Sequence, residues 1–311
     1  MMEFEAPDWR ILHSSLSRRR RFAFCPVGYY LHHVPGRDGY AEYADDWQYK
    51  IYAAKHMHSA SGWVRSLFRG SLHKYFRAGT DFRRRNFADY LRAAFERRYN
   101  LLVPRAFEQD PKIVESVLEI ERRLWSVDEF YERALYELNH LANTFMASWL
   151  FTELLQIPLL DFRDTESCWN PWQLGGVNFF NPPDLVWKKD RTLQILDLNK
   201  YFFEYEQQRA VLLYKVYASR FMSIAPEHLQ VIFACGDDFY SLAEEDLPDF
   251  RQLFGQLSGE AAMWRDYLIM QKNDAACGKW HYAQLDKCSG CRFCGICPAQ
   301  AGTAEPAGSS I

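Results

Sequence analysis

The run CSGCRFCGICP, from Cys288 to Pro298, restricts this chain more than any other segment. Its four cysteines, Cys288, Cys291, Cys294 and Cys297, stand at two-residue intervals. Such a spacer turns the backbone so that successive thiolates converge on one ion or cluster. In a reducing compartment the pattern is a metal site rather than a set of disulfides, and thiolate-only donors suit zinc or iron–sulfur. A four-cysteine zinc site joins two pairs across a longer loop, which this run lacks. Three close cysteines plus a distant fourth are common in iron–sulfur sites. Cys25, followed by Pro26 and by Tyr29 and Tyr30, is the candidate for the distant ligand, with an ordinary buried thiol as the alternative. The bland alternative for the run itself is four unliganded thiols on a tail. Cys168, Cys235 and Cys277 read as core or surface cysteines.

The net charge of −3 conceals an asymmetry: residues 1–105 carry 19 Lys and Arg against 10 Asp and Glu, whereas residues 106–311 carry 18 against 30. A basic first third can face a polyanion while the acidic remainder faces solvent, partners or metal. A hydrophobic content of 48% excludes disordered and collagen-like classes and is enough for a sizeable core. The apolar stretch 141–160 contains Asn143, Glu153, Gln156 and Pro158, so it reads as a buried helix and not a bilayer span. The segment MMEFEAPDWR lacks the pattern of a signal peptide. The expected location is the cytoplasm, with no membrane partner.

Helical periodicity marks 57–77, with Trp63, Leu67, Phe68, Leu72, Tyr75 and Phe76 on one stripe. A second stripe, Phe87, Leu91, Ala94 and Phe95, sits on a helix rich in arginine, including Arg84, Arg85 and Arg92. The run Arg18 to Arg21 reads as a solvated face, with phosphate contact as the functional alternative. From residue 158 onward short β-rich runs alternate with Pro, Gly and Asn; a helix follows over 204–221 and a strand at 230–234. The chain divides into a basic helical part (1–105), an acidic helical insertion (106–156), a core of sheet and helix (157–240), C-terminal helices with the cysteine run (241–298) and a disordered tail (299–311).

The segment PDLVWKKDRTLQILDLNK carries the expected chemistry. A tight turn at Asp190-Arg191 joins two strands and sets Asp184 directly opposite Asp197. Like charges facing each other across a strand pair repel, and a cation between them relieves the conflict, which suggests Mg²⁺ or Mn²⁺. The alternative is a pair of strand-end aspartates in solvent. Side chains alternate along a strand, so Asn199 shares the face of Asp197 and Lys200 points away unless the strand bulges or ends there.

A Pro-Asp, a hairpin, then Asp197-Leu198-Asn199-Lys200 at a strand end resembles the PD-(D/E)XK nuclease superfamily. Further features resemble its RecB-like branch with an iron–sulfur cluster. Gly70-Ser71-Leu72-His73 is similar to that branch's G-x-x-H helix, Ser15-Leu16 to Cys25-Pro26 and Tyr29-Tyr30 to its N-terminal cysteine motif, and the C-terminal cysteines to its closing motif. Members of the branch include the CRISPR-adaptation nucleases and the nuclease domains of AddB-type recombination helicase–nucleases. The resemblance implies an α/β fold, a restriction-endonuclease-like mixed sheet flanked by helices, with a helical insertion and an iron–sulfur staple joining the N- and C-terminal regions. It implies a 4Fe–4S cluster, with zinc as the alternative, on Cys25, Cys288, Cys291 and Cys297, and Cys294 as a substitute ligand.

The activity implied is metal-assisted hydrolysis of DNA phosphodiester bonds in DNA processing, repair or defence. His73, Asp184, Asp197 and the Leu198 carbonyl would hold Mg²⁺ or Mn²⁺, and Lys200 or Asn199 would orient the attacking water. Arg84, Arg85 and Arg92 would contact phosphates of DNA that is single-stranded or has free ends. The family pattern is D-x-K, whereas here Asn199 occupies the lysine position, and Gln207, Gln208, Tyr214 and Tyr217 depart from the family's Gln/Tyr spacing. A catalytically impaired DNA-binding or scaffold subunit of a larger protein complex is therefore the second expectation. An electron-carrying iron–sulfur protein is the third, although it leaves the hairpin unexplained.

Overall fold

The computed structural model describes residues 12–37, 39, 41–77, 87–102, 115–163, 171–199, 201–235, 238–242 and 247–301. A short strand, β1 (Leu12–Ser14), leads into two consecutive helices, α1 (Leu16–Phe24) and α2 (Pro26–His33). Ser15 caps α1 by accepting the Arg18 amide at 3.2 Å. Cys25 ends α1 and caps α2 in one residue. Its extended backbone breaks the first helix, its Sγ accepts the Gly28 amide at 3.5 Å, and Pro26 fits the first turn of the second, where no N–H is needed.

Helix α3 (Asp46–His56) begins at a capping box of Asp45 and Gln48. The longer helices that follow are α4 (Ala60–Arg77), α5 (Phe87–Tyr99), α6 (Val127–Ala147) and α7 (Trp149–Gln156), with a single turn at Leu118–Glu121 between α5 and α6. All six apolar residues of the expected 57–77 stripe are buried in α4, as are Phe87, Leu91 and Phe95 of α5. Phe130, Ala134, Leu138 and Phe145 of α6 join them in one cluster, so the acidic segment contributes its apolar face to the same core.

The remaining strands are β2 (Phe162–Arg163), β3 (Trp172–Leu174), β4 (Val177–Phe179), β5 (Leu185–Lys189) and β6 (Thr192–Asp197). Then come α8 (Glu204–Met222), β7 (Leu229–Cys235), β8 (Asp238–Tyr240) and α9 (Phe250–Ala275). The larger sheet has the order β2-β5-β6-β7-β8; β6 and β7 are parallel, joined by α8 as the crossover helix, and its other pairings are antiparallel. The smaller sheet, β1-β4-β3, pairs β1 parallel to β4. The architecture is α/β, with mixed sheets flanked by helices.

Both faces of β5 and β6 are covered, which explains their nearly continuous apolar sequence. Leu185, Trp187 and Leu196 pack toward α4 to α7, whereas Val186, Leu193 and Ile195 pack toward α8 and α9. A third cluster joins the ends of the chain: Tyr29 and Leu31 of α2, Ile51 of α3 and Trp264 of α9 surround Phe293, which lies inside the cysteine run. Burying one phenylalanine contributes roughly 1.5–3 kcal/mol, enough to fasten an otherwise polar run against α2. No described helix is long and apolar enough to cross a membrane.

Candidate functional site

The hairpin has the register its turn demands. Asp190 takes the left-handed conformation at φ 53°, which a short polar side chain tolerates, and Asp190-Arg191 forms the loop. Pairs run from Lys189 and Thr192 to Leu185 and Leu196. The Asp184 amide donates to the Leu196 carbonyl at 2.9 Å, one residue out of the register of the ladder, and Asp184 lies close enough to Asp197 for that carboxylate's charge to act on it. Both are buried, Asp184 at 7% and Asp197 at 0% exposure, so neither is a solvated strand-end carboxylate.

The expected cation beside these carboxylates is a guanidinium in this structure. Arg69 of α4 donates Nε to Asp184 Oδ1 and Nη1 to Asn199 Oδ1, the latter at 3.1 Å. Asp184 Oδ2 accepts the Leu198 amide at 2.7 Å. Asp197 Oδ1 accepts the backbone amide and side-chain Nδ2 of Asn199 at 2.8 and 2.7 Å. Its Oδ2 accepts the hydroxyls of Tyr201 and Tyr214 at 2.6 and 2.8 Å. Burial pushes the Asp184 carboxyl up to about 6; Arg69 pulls it down and Asp197 pushes it up again, and burial prevails. The Tyr201 and Tyr214 hydroxyls are pushed up by burial and then by the Asp197 charge, so both are donors at neutral pH. Burial works against the Arg69 charge, but Asp184 beside it outweighs burial and keeps the guanidinium protonated.

These shifts have a testable sign. Folded Asp184 binds its proton more tightly than the unfolded chain does, so its contribution to stability is full below about pH 4 and is lost as pH rises through about 6. The melting temperature of the wild type relative to Asp184→Asn should therefore fall between about pH 4 and pH 7. A difference that stays constant across that range would contradict this electrostatic picture.

Asn199 shares the face of Asp197, as strand alternation predicts, and β6 ends at Asp197. Leu198 meets Asp184 through its amide, where a metal reading expects its carbonyl. His73 lies on α4, one turn beyond Arg69, with Nε2 3.4 Å from Nη1 of Arg77. Lys200, Arg84 and Arg85 lie outside the described residues, as do 302–311 of the tail, and Arg92 is exposed on α5. Sequence reasoning missed Arg69, Tyr201 and the role of Tyr214. The available signals were the spacing of Arg69 four residues before His73, on the same helical face, and a tyrosine among the buried positions of α8.

The second locus is built at the junction of α1 and α2. One cavity is lined by Cys25, Cys288, Cys291, Cys294 and Cys297. Successive turns shape the run, with the Cys291 amide donating to the Cys288 carbonyl and the Cys294 amide to that of Cys291, both at 3.0 Å. Trp47 Nε1 donates to the Ile296 carbonyl at 3.0 Å, and Arg122 donates to the Ser289 carbonyl at 2.7 Å and to that of Cys291. Cys25 is buried, and Cys288, Cys291 and Cys297 are partly buried; Cys294 is exposed. The Cys297 thiol is pushed up to about 11, by burial first and then, against a backbone hydrogen bond from Ala299, by Cys291, Cys25 and Cys288. Cys291 is raised for the same reasons, burial first and then Cys25 and Cys288. These thiols therefore lie in a poorly solvated space. Among the described residues, no group of three or more His, Cys, Asp or Glu side chains is assembled closely enough to hold a metal ion, at either locus.

The arginine run is not a solvated face. Arg18 donates to the Tyr29 hydroxyl, Arg19 to Glu260 of α9 and Arg20 to Glu206 of α8, each at 3.1 Å. It fastens α1 to the rest of the core. No protein-family model, curated protein or solved structure matches the chain.

Proposed function

We propose that the chain is a metal-dependent deoxyribonuclease of the RecB-like PD-(D/E)XK type, stapled by a 4Fe–4S cluster. The observation that carries this reading is the buried pair Asp184 and Asp197, within electrostatic reach of each other at the end of a hairpin whose second strand runs parallel to β7 across α8. His73, Asp184, Asp197 and the Leu198 carbonyl would hold Mg²⁺ or Mn²⁺, which when bound supplies Lewis acidity and lowers the pKa of water. The tyrosine hydroxyls of residues 201 and 214 orient the Asp197 carboxylate. Asn199, or Lys200 beyond the strand end, would orient the attacking water. Arg69 holds Asp184, so a divalent cation bound by that carboxylate would have to take over the charge that Arg69 now supplies. At the other locus, the cysteines around one cavity are an all-thiolate donor set, which suits iron–sulfur first and zinc second. Cys25, Cys288, Cys291 and Cys297 are the ligands under this reading, and exposed Cys294 is spare.

One observation favours a second reading, a DNA-binding subunit that no longer cuts. Arg69 and Asn199 together satisfy the charges that a metal and a lysine would meet. Arg69→Met separates the two. Removing Arg69 leaves the buried Asp184 without its partner, so the variant should melt below wild type in EDTA. In the nuclease, millimolar Mn²⁺ should recover most of that loss by binding the freed carboxylates, and DNA cleavage should persist. Recovery absent and cleavage absent in both proteins would select the non-cutting subunit.

A further inference from the structure

Arg21, unlike Arg19 and Arg20, pairs with no acidic group among the described residues. Its guanidinium is held down at about 10, by burial first and then by Arg292 and Arg18. Arg292 spends one nitrogen on the Lys55 carbonyl at 2.7 Å. The surplus of positive charge reaches inward. His32 and His33 of α2 are pushed far down, by burial first and then by the same arginines, and their buried Nδ1 and Nε2 atoms have no hydrogen-bond partner.

These cations do not close on one another. An open cavity of ≈ 340 Å³ lies between α1 and the cysteine run, lined by Arg20, Arg21, Phe24 and Arg292 and bordered by Cys25 and Cys291 of the thiolate site. Phe24 is 40% exposed on its rim, and Lys287 lies 5.8 Å from the centre of its ring. Burying like charges together opposes folding, and an open cavity beside them is where an anion relieves the repulsion. An exposed aromatic ring next to that charge is the arrangement on which a single-stranded base stacks while its phosphate is neutralised.

We propose that this cavity binds a phosphate group of a single-stranded nucleic acid between Arg21 and Arg292, with the adjoining base stacked on Phe24. The assignment rests on the nuclease-like reading for the identity of its ligand, but not for the phosphate site itself. It places the strand on the α1 side of the cysteine run, separate from the exposed surface of Arg92.

The test uses the full chain and a fluorescein-labelled single-stranded oligonucleotide of mixed sequence, followed by anisotropy over a salt series. Arg21→Gln should weaken binding at least tenfold at low salt and reduce the slope of log affinity against log salt by about 0.7, the value for one phosphate of a single strand. Phe24→Ala should weaken binding about fivefold or more and leave the slope unchanged, as expected for a lost stack. Arg21→Gln should melt no lower than wild type, because it removes repulsion and breaks no pair. Binding by both variants equal to wild type would overturn the proposal, and intact Mn²⁺-dependent cleavage in the same proteins would leave the nuclease reading standing. If wild type binds no oligonucleotide, inorganic phosphate is the second probe. A rise in melting temperature with phosphate that Arg21→Gln abolishes would uphold the phosphate site and reject nucleic acid as its ligand. No effect of phosphate in that case would overturn both.

Discussion

In the nuclease proposed above, Asp197→Asn is expected to abolish Mn²⁺-dependent DNA cleavage, a fall of on the order of a hundredfold or more, because it removes the charge that would both bind the metal and fix the reacting geometry. The same change has a stability cost that is read separately. Asp197 accepts four hydrogen bonds and offers no donor of its own. An asparagine there presents an NH₂ to the tyrosine hydroxyls or to Asn199, and a buried donor left unsatisfied costs roughly 1–3 kcal/mol. The variant should therefore melt several degrees lower yet remain folded by circular dichroism. Cleavage that survives in folded Asp197→Asn, at wild-type rate, would remove the hairpin from the chemistry.

Cys25→Ser should have the second large effect. Anaerobically purified wild type is expected to be brown and to contain about four irons per chain. The serine variant should lose most of that iron and melt far below wild type, since binding energy of metal to thiolates is folding energy for the elements that carry them. Cys294→Ser, at the exposed position, should keep the iron and the stability. Stoichiometric zinc in place of iron would keep the thiolate site and discard the cluster. Undiminished metal in Cys25→Ser would detach the N-terminal helices from the site altogether.

The features that were legible in the sequence are local ones. Strand alternation with a two-residue polar turn is enough to set Asp184 near Asp197, because the turn dictates register and register dictates faces. The stripes of α4 and α5 were legible for the same reason: a repeat near 3.6 residues places Trp63, Leu67 and Phe95 on buried faces whatever they pack against. Strands β1 and β8, with three residues each, are too short to show a period. The arginine run misleads, since its reading as a solvated face depends on what the tertiary fold brings to it. Glu206 and Glu260 lie 186 and 241 residues away from the arginines they meet. Arg69 was missed on similar grounds: nothing on α4 announces that a strand end 115 residues later will need a cation.

The junction at Cys25 also sets an order of assembly. Its packing partner Phe293 lies about 270 residues further along the chain, so the thiol and the apolar side of α2 stay uncovered until the final stretch emerges. At a synthesis rate of roughly 5–20 residues per second that interval is on the order of 15–50 s. For that time Cys25 is an accessible thiol at a helix N-terminus, open to oxidation or to a premature metal. The step that buries it waits on that closure, since so long a loop closes only once the chain on either side has been made. Until Cys25 and Phe293 meet, the thiol lacks the cover that the cysteine run later gives it.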